Sequence, residues 1–368
     1  MIPVTDVAFT GNELAYVTEC IETGWVSSLG KYVKEFEERF AAYCGAKHGI
    51  AVSNGTTALH LALAVLGIGP GDEVIVPTLT FIATANAVAY TGAQPVFVDS
   101  EPRTWNLDPA KIEAKITSRT KAIIPVHIYG HPADMDPILE IARRRHLLVI
   151  EDAAEAHGAL YKGKRVGALA DMSCFSFYGN KIITTGEGGM ILTDNPVWDE
   201  RARVLRDHGM SKTKRYWHPE VGYNYRLTNM QAALGVAQLE QIDRIIAAKR
   251  GNAALYNRLL KDVPGVILPP EADWAQNVYW MYSILLGERF GIERDELMKR
   301  LKAREIDSRP FFYPIHTMPP YLANAAGQEF PVAVDLSRRG LNLPSSATLT
   351  PEQIAQVCQA IKESQGAI

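Results

Sequence analysis

Between residues 49 and 193, seven short apolar runs, GIAVS, EVIVP, PVFVD, KAIIPV, LLVIE, SCFSF and GMILT, are separated by longer amphipathic stretches. Runs this short, rich in Val and Ile and apolar on both sides of the pleat, suit strands covered on both faces. Their alternation with helical stretches predicts an α/β fold: a mostly parallel sheet between helices, with ligands gathering at the carboxyl ends of strands. Two covering helices are expected, at TTALHLALAVLG, which opens on capping threonines and closes on Gly67, and at MDPILEIARRRH, with apolar residues at helical spacing.

The chain has 368 residues, 47% of them hydrophobic, which suggests two domains rather than one. Past Thr228 the stretch NMQAALGVAQLEQIDRIIAAKRGNAALYNRLLK is helical in pattern and free of proline. It reads as a connector, so the boundary is placed near residue 245, with a large domain over 1–245 and a smaller α+β domain over 246–368. In the smaller one, YWMYSILL and IDSRPFFY are the expected strands and ERDELMKRLKARE and PEQIAQVCQAIKES the expected helices.

Charge and cysteine usage exclude several functions. A net charge of −3 with scattered lysines and arginines makes no basic face for a phosphate backbone, so nucleic acid is not expected as a partner. Cys20, Cys44, Cys174 and Cys358 are far apart and form no CxxC pair, so no metal is expected and a reducing, cytoplasmic setting is. MIPVTDVAFTGNE lacks the basic-then-apolar order of an export signal, and no apolar run approaches the ~18 residues of a membrane span.

Four segments carry chemistry. In SNGTTALHLAL a strand ends and a helix begins at Gly55, Thr56 and Thr57; free N–H groups at a helix start, with hydroxyls beside them, make a phosphate cup, although an ordinary capped helix has the same pattern. In PTLTFIATANAV, Phe81 follows a strand end, where it could stack on a planar ring or belong to the core. VIEDAAEAHG carries Glu151, Asp152 and Glu155; strand alternation puts Glu151 and Asp152 on opposite faces, and Asp152 is chosen as the ligand-facing one over a merely solvated acidic loop. SFYGNKIITTGEGGM places Lys181 between an apolar strand and a Gly-rich turn, with Ser176 on the same strand exit. A lysine amine and a carboxylate in this relation fit pyridoxal phosphate, which needs the amine to hold its aldehyde as a Schiff base and the carboxylate to keep its ring nitrogen protonated.

In order and wording these segments resemble the DegT/DnrJ/EryC1/StrS family of pyridoxal phosphate-dependent nucleotide-sugar aminotransferases, of aspartate aminotransferase (type I) fold, over nearly the whole chain. The resemblance implies Lys181 as the Schiff-base lysine, Asp152 as partner of the ring nitrogen, Glu155 near the ring oxygen, and Ser176, Gly55 and Thr56 around the phosphate. Phe81 stands where relatives often have Tyr, so stacking would survive and a hydroxyl contact would not. Asn224, in GYNYRLTN, corresponds to an asparagine sent across a dimer interface to the neighbour's cofactor, which implies a homodimer with shared active sites; from spacing alone it would be a turn cap.

CFSFYGNKIITTGEGGM, GYNYRLTNMQAALGVAQLE and SRPFFYPIHTMPPY are most similar to the branch that aminates GDP-4-keto-6-deoxy-D-mannose with L-glutamate. Substrate contacts implied in this way are Lys214, Arg215, Tyr216 and Trp217 in one loop and Arg309, Tyr313 and His316 in the small domain, each of which equally suits a rim or core role. Another UDP- or dTDP-linked keto sugar, or a non-catalytic regulatory protein that binds the nucleotide sugar or cofactor, are the competing readings.

Overall fold

Within the computed structural model, which describes residues 1–366, the apolar runs form the strands β1 (His48–Val52), β2 (Glu73–Pro77), β3 (Gln94–Val98), β4 (Thr120–Ile123) and β5 (Leu148–Asp152). A short ribbon follows, β6 (Leu160–Tyr161) and β7 (Lys164–Arg165), and then β8 (Met172–Ser176) and β9 (Gly189–Thr193). Seven of these make one sheet in the order β1-β9-β8-β5-β4-β2-β3. The pairs from β3 through β8 are parallel, and β9 runs antiparallel to both β8 and β1. Because β1 opposes a reversed strand, it points the same way as β8. The carboxyl ends of β1, β2, β5 and β8 therefore share one edge.

Side-chain alternation explains why the runs are apolar throughout. In β2, Val74 and Val76 enter one core and Ile75 the core on the other face; in β5, Ile150 and Val149 divide in the same way. Helices Gly55–Val65 and Met135–Arg145 cover the two faces. The second ends as its sequence requires: His146 takes the left-handed conformation (φ 55°) and its N–H caps the last turn.

The stretch expected as one long helix is two, Asn229–Leu239 and Ile242–Leu260. Neither proline nor glycine marks the break. At the junction Glu240 is gripped by the side chains of Asn12, Tyr16 and Arg39 at 2.9–3.1 Å, and the N–H of Gln241 bonds back only three residues, to Gln238. Along the second helix, Ile242, Ile245 and Ile246 join the large core, whereas Ala253, Tyr256 and Leu260 join a separate one.

That separate core lies under an antiparallel sheet of β10 (Val266–Ile267), β12 (Tyr282–Leu286), β13 (Arg309–Pro310) and β14 (Gly340–Leu343), in the order β10-β12-β14-β13; β11 (Ala275–Gln276) instead extends the β6–β7 ribbon. Of IDSRPFFY only Arg309 and Pro310 pair as strand. Helices Arg294–Ala303 and Pro351–Lys362 pack on this part, the latter opened by a capping box between Thr350 and Gln353. No helix among the described residues is long and apolar enough to cross a membrane.

Candidate active site

The shared strand edge opens into a cavity of about 560 Å³ whose far wall comes from the second sheet. Gly55, Thr56, Thr57, Phe81, Asp152, Glu155, Ser176, Lys181 and Arg309 all line it. Residues separated by up to 254 positions in sequence thus meet at one site, as expected where strand ends converge.

At the end of β1 the helix Gly55–Val65 starts with a reciprocal cap. Asn54 accepts from the Thr57 N–H at 2.9 Å, and the Thr57 hydroxyl accepts from the Asn54 N–H at 3.1 Å while donating to the Asn54 carbonyl at 2.8 Å. The Thr57 hydroxyl is thereby committed to the cap, which leaves the Thr56 hydroxyl and the first-turn N–H groups of Gly55 and Thr56, without intrahelical acceptors, to face an anion. Glycine is required at two positions here. A Cβ on Gly55 would stand 2.7 Å from Cβ of Ser176, and one on Gly189 would stand 2.3 Å from the Asn54 carbonyl oxygen. Backbones packed this closely bring Ser176, the last residue of β8, against the start of the helix.

Asp152 ends β5 and is buried; its Oδ2 accepts from the Thr84 hydroxyl at 2.7 Å, and its Oδ1 from the Ala154 N–H at 3.3 Å. Burial pushes its pKa up, with the Thr84 hydrogen bond opposing. Glu151 faces the other way into the protein, where it accepts from Ser173 Oγ at 2.8 Å, from the N–H groups of Leu169 at 2.9 Å and Gly167 at 3.0 Å, and lies 3.0 Å from His127 Nε2. The two carboxylates thus lie on opposite faces as alternation requires, Asp152 at the cavity and Glu151 as a buried structural anchor rather than a solvated group. Glu155 accepts from the Tyr129 N–H at 2.7 Å, and burial raises its pKa as well.

Lys181 lies half-buried on the connection from β8 to β9, its N–H turned back to the Tyr178 carbonyl at 2.9 Å. Burial lowers the amine's pKa, with Glu155 and then Asp152 opposing that shift. A half-buried amine near two buried carboxylates, beside a helix start able to take a phosphate, fits the ring, aldehyde and phosphate of pyridoxal phosphate. Phe81 is 55% exposed and turned to the cavity, which decides between its two sequence readings in favour of a ligand-facing ring.

Other expected residues are not brought to this cavity by one chain. Lys214 lies over the Trp217 ring at 4.1 Å and Arg215 over the Tyr216 ring at 4.9 Å, all on an exposed loop beside a different hollow. Asn224 is exposed and bridges to Asp207. Tyr313 is exposed outside the cavity lining, and His316 Nδ1 sits 2.7 Å from the Thr78 hydroxyl with its ring against Phe330. Sequence reasoning passed over Tyr129, Asn180, Trp280 and Asn342, which also line the cavity. Tyr129 follows the strand KAIIPV and could have been found by inspecting every strand exit; Trp280 sits in an apolar run and looks like core.

His157, five residues past the carboxyl end of β5, is fully buried among the rings of Phe40, Phe175 and Phe177, and neither of its ring nitrogens has a hydrogen-bond partner among the described residues. Burial, with Lys181 adding to it, holds its pKa down to about 3 from 6.5. Between those values the unfolded chain binds a proton that the folded chain refuses, so stability is lost as pH falls from 6.5 towards 3 and nothing is lost above 6.5. Urea unfolding at pH 6 and pH 4 should show the unaltered protein losing about 1 kcal/mol per pH unit more than a His157→Leu variant. Equal slopes would sink this account.

The model of the DegT/DnrJ/EryC1/StrS aminotransferase family matches residues 8–362. The GDP-perosamine synthases of Caulobacter vibrioides and Escherichia coli O157:H7 are 54% and 49% identical to the chain, each over 98% of both sequences. Among solved structures, Streptomyces venezuelae DesV is 40% identical, with a TM-score of 0.91 over 97% of this chain and 95% of that one. Helicobacter pylori PseC, an aminotransferase involved in the biosynthesis of pseudoaminic acid, reaches a TM-score of 0.94 at 26% identity over 99% of both. With its type I fold, a lysine and two carboxylates at the strand edge and a match over nearly its full length, the chain belongs to the DegT/DnrJ/EryC1/StrS aminotransferase family.

Proposed function

We propose that the protein moves the amino group of L-glutamate to C4 of GDP-4-keto-6-deoxy-D-mannose, forming GDP-perosamine and 2-oxoglutarate, for use in O-antigen or related polysaccharide synthesis. The observation that carries the chemistry is the meeting, in one cavity, of the Lys181 amine with buried Asp152 and Glu155. The choice of sugar is supported by three relatives named GDP-perosamine synthase at 45–54% identity.

Pyridoxal phosphate, when bound, supplies a ring that takes up the electron pair left when a carbon loses its proton. Gly55, Thr56 and Ser176 would hold its phosphate, Phe81 its face, Asp152 its ring nitrogen and Glu155 the side of its ring oxygen. Lys181 Nζ, its proton affinity lowered by burial, takes the proton from the α-carbon of L-glutamate and, in the reverse half, delivers one to C4 of the sugar. Thr84 fixes the carboxylate of Asp152 so that it meets the ring without rearranging.

In this reading two copies share their active sites. Asn224, exposed and outside its own cavity, would reach the neighbour's phosphate, and Lys214 to Trp217 would meet the neighbour's nucleotide. Exposed apolar side chains at Trp25, Leu29, Trp217 and Val221 support such a contact. A division near residue 245 is supported by the change of core between Ile246 and Ala253, and a cytoplasmic setting by four buried, unpaired cysteines.

Purified protein should be given L-glutamate and, in parallel, GDP-4-keto-6-deoxy-D-mannose and keto sugars linked to UDP or dTDP. The GDP sugar should be aminated with at least tenfold higher kcat/KM. Preference for a UDP or dTDP sugar would overturn the substrate while leaving the chemistry intact, and no amination of any would overturn both.

A further inference from the structure

Lys181 Nζ makes no hydrogen bond and no ion pair among the described residues. The amine instead lies over the face of Trp280, whose ring centre is 3.9 Å away. Trp280 comes from the segment just before β12, about a hundred positions further along the chain, and is 5% exposed. Its indole N–H donates at 2.7 Å to the carbonyl of Asn180, the residue that precedes the lysine. One side chain thus holds the backbone at position 180 and presents its ring to the amine at 181.

The indole itself is held from behind. Its ring lies nearly parallel to that of Tyr129, at 17° and 6.4 Å between centres, and the Tyr129 N–H is fixed by Glu155. On the chain side, Tyr279 adopts a left-handed conformation (φ 48°) and its N–H is caught by the Asn277 side chain at 2.7 Å, which turns the next residue inward. Trp is the aromatic residue whose face best attracts a cation, and the attraction grows where water is excluded. An apolar wall of the same size would leave an ammonium here with only the carboxylates of Glu155 and Asp152 to offset burial.

We infer that Trp280 is a positioning residue for Lys181: its ring face is the seat of the lysine ammonium whenever that amine is not bonded to cofactor, and its N–H fixes the turn that carries it. The inference rests on the assignment of Lys181 made above. A transferring lysine is set free in each half of the cycle and must stay within reach of the same carbon. The indole face offers a nearby resting place that favours the protonated form, while the carboxylates of Asp152 and Glu155 remain turned to the cofactor's side.

The test strips the protein of cofactor, adds pyridoxal phosphate, and follows by visible absorption the rate at which the amine joins the aldehyde with loss of water. Only the neutral amine reacts, so the pH dependence of that rate reports the amine's pKa. In Trp280→Leu the pKa should fall by about one unit, the order expected from loss of a desolvated contact of this kind, and the high-pH rate should drop roughly tenfold as the turn loosens. Trp280→Phe, which keeps a ring and loses the N–H, should shift the pKa by less than half as much while showing most of the drop in rate; it also serves if the Leu variant does not fold. A pKa within 0.2 unit of the unaltered protein in both variants would overturn the inference. If the unaltered protein itself forms no linkage, the assignment of Lys181 falls and this inference with it.

Discussion

Lys181→Ala should reduce turnover at least a thousandfold and remove the visible absorption of the lysine–cofactor linkage, while cofactor binding persists through the phosphate cup. The size follows from losing one group with two tasks. General acid–base transfer by a placed side chain accounts for roughly 10²- to 10⁴-fold, and loss of the covalent attachment adds to it. Among the described residues no other lysine of the same chain lines the cavity, so the chain carries no second amine to take its place. Steady-state amination and absorption should be measured on the same preparation; turnover within tenfold of the unaltered protein would remove Lys181 from its role.

For Asp152→Asn the expected loss is about a hundredfold or more in kcat, with cofactor bound at least tenfold more weakly. An amide keeps the shape and can still accept from Thr84, but it carries no charge to oppose a protonated ring nitrogen. A charge-assisted hydrogen bond in a buried site is worth about 1.5–3 kcal/mol, which sets the scale of the binding loss. The pKa shift points the same way: burial pushes this carboxyl up against the Thr84 hydrogen bond and the charge of Lys181, and a pyridinium against it would bring it down again. Cofactor titration and kcat would both have to remain near their original values for the assignment to fail.

The two predictions differ in how they were reached. Lysines after strands are usually solvated, and Lys181 stood out by its setting, with Ser176 on the same strand exit and a Gly-rich turn behind it. The two-residue period of a strand put Asp152 and Glu151 on opposite faces, Lys181 gave the choice of Asp152 its weight, and Glu151 is tied down by four partners. Thr57 shows the limit of this kind of reading: correctly placed at the helix start, its hydroxyl is spent on the cap and only its position at the cavity remains.

Local pattern also failed where a distant group took part. Nothing in LGVAQLEQIDR announces a break, because the side chains that grip Glu240 come from residues 12, 16 and 39. Lys214 to Trp217, Asn224, Tyr313 and His316 were proposed from resemblance, and a single chain leaves them outside the cavity.

By itself, then, the order of residues determined the seven strands of the large sheet and the edge at which ligands would gather, because backbone periodicity and helix capping act over a few positions at a time. Tertiary structure alone decided that β9 runs against its neighbours, that the far wall is built from Arg309 and Asn342, and that an indole faces the Lys181 amine. Those choices depend on packing between segments a hundred or more residues apart, where the free energy comes from mutual burial and no single segment carries the signal.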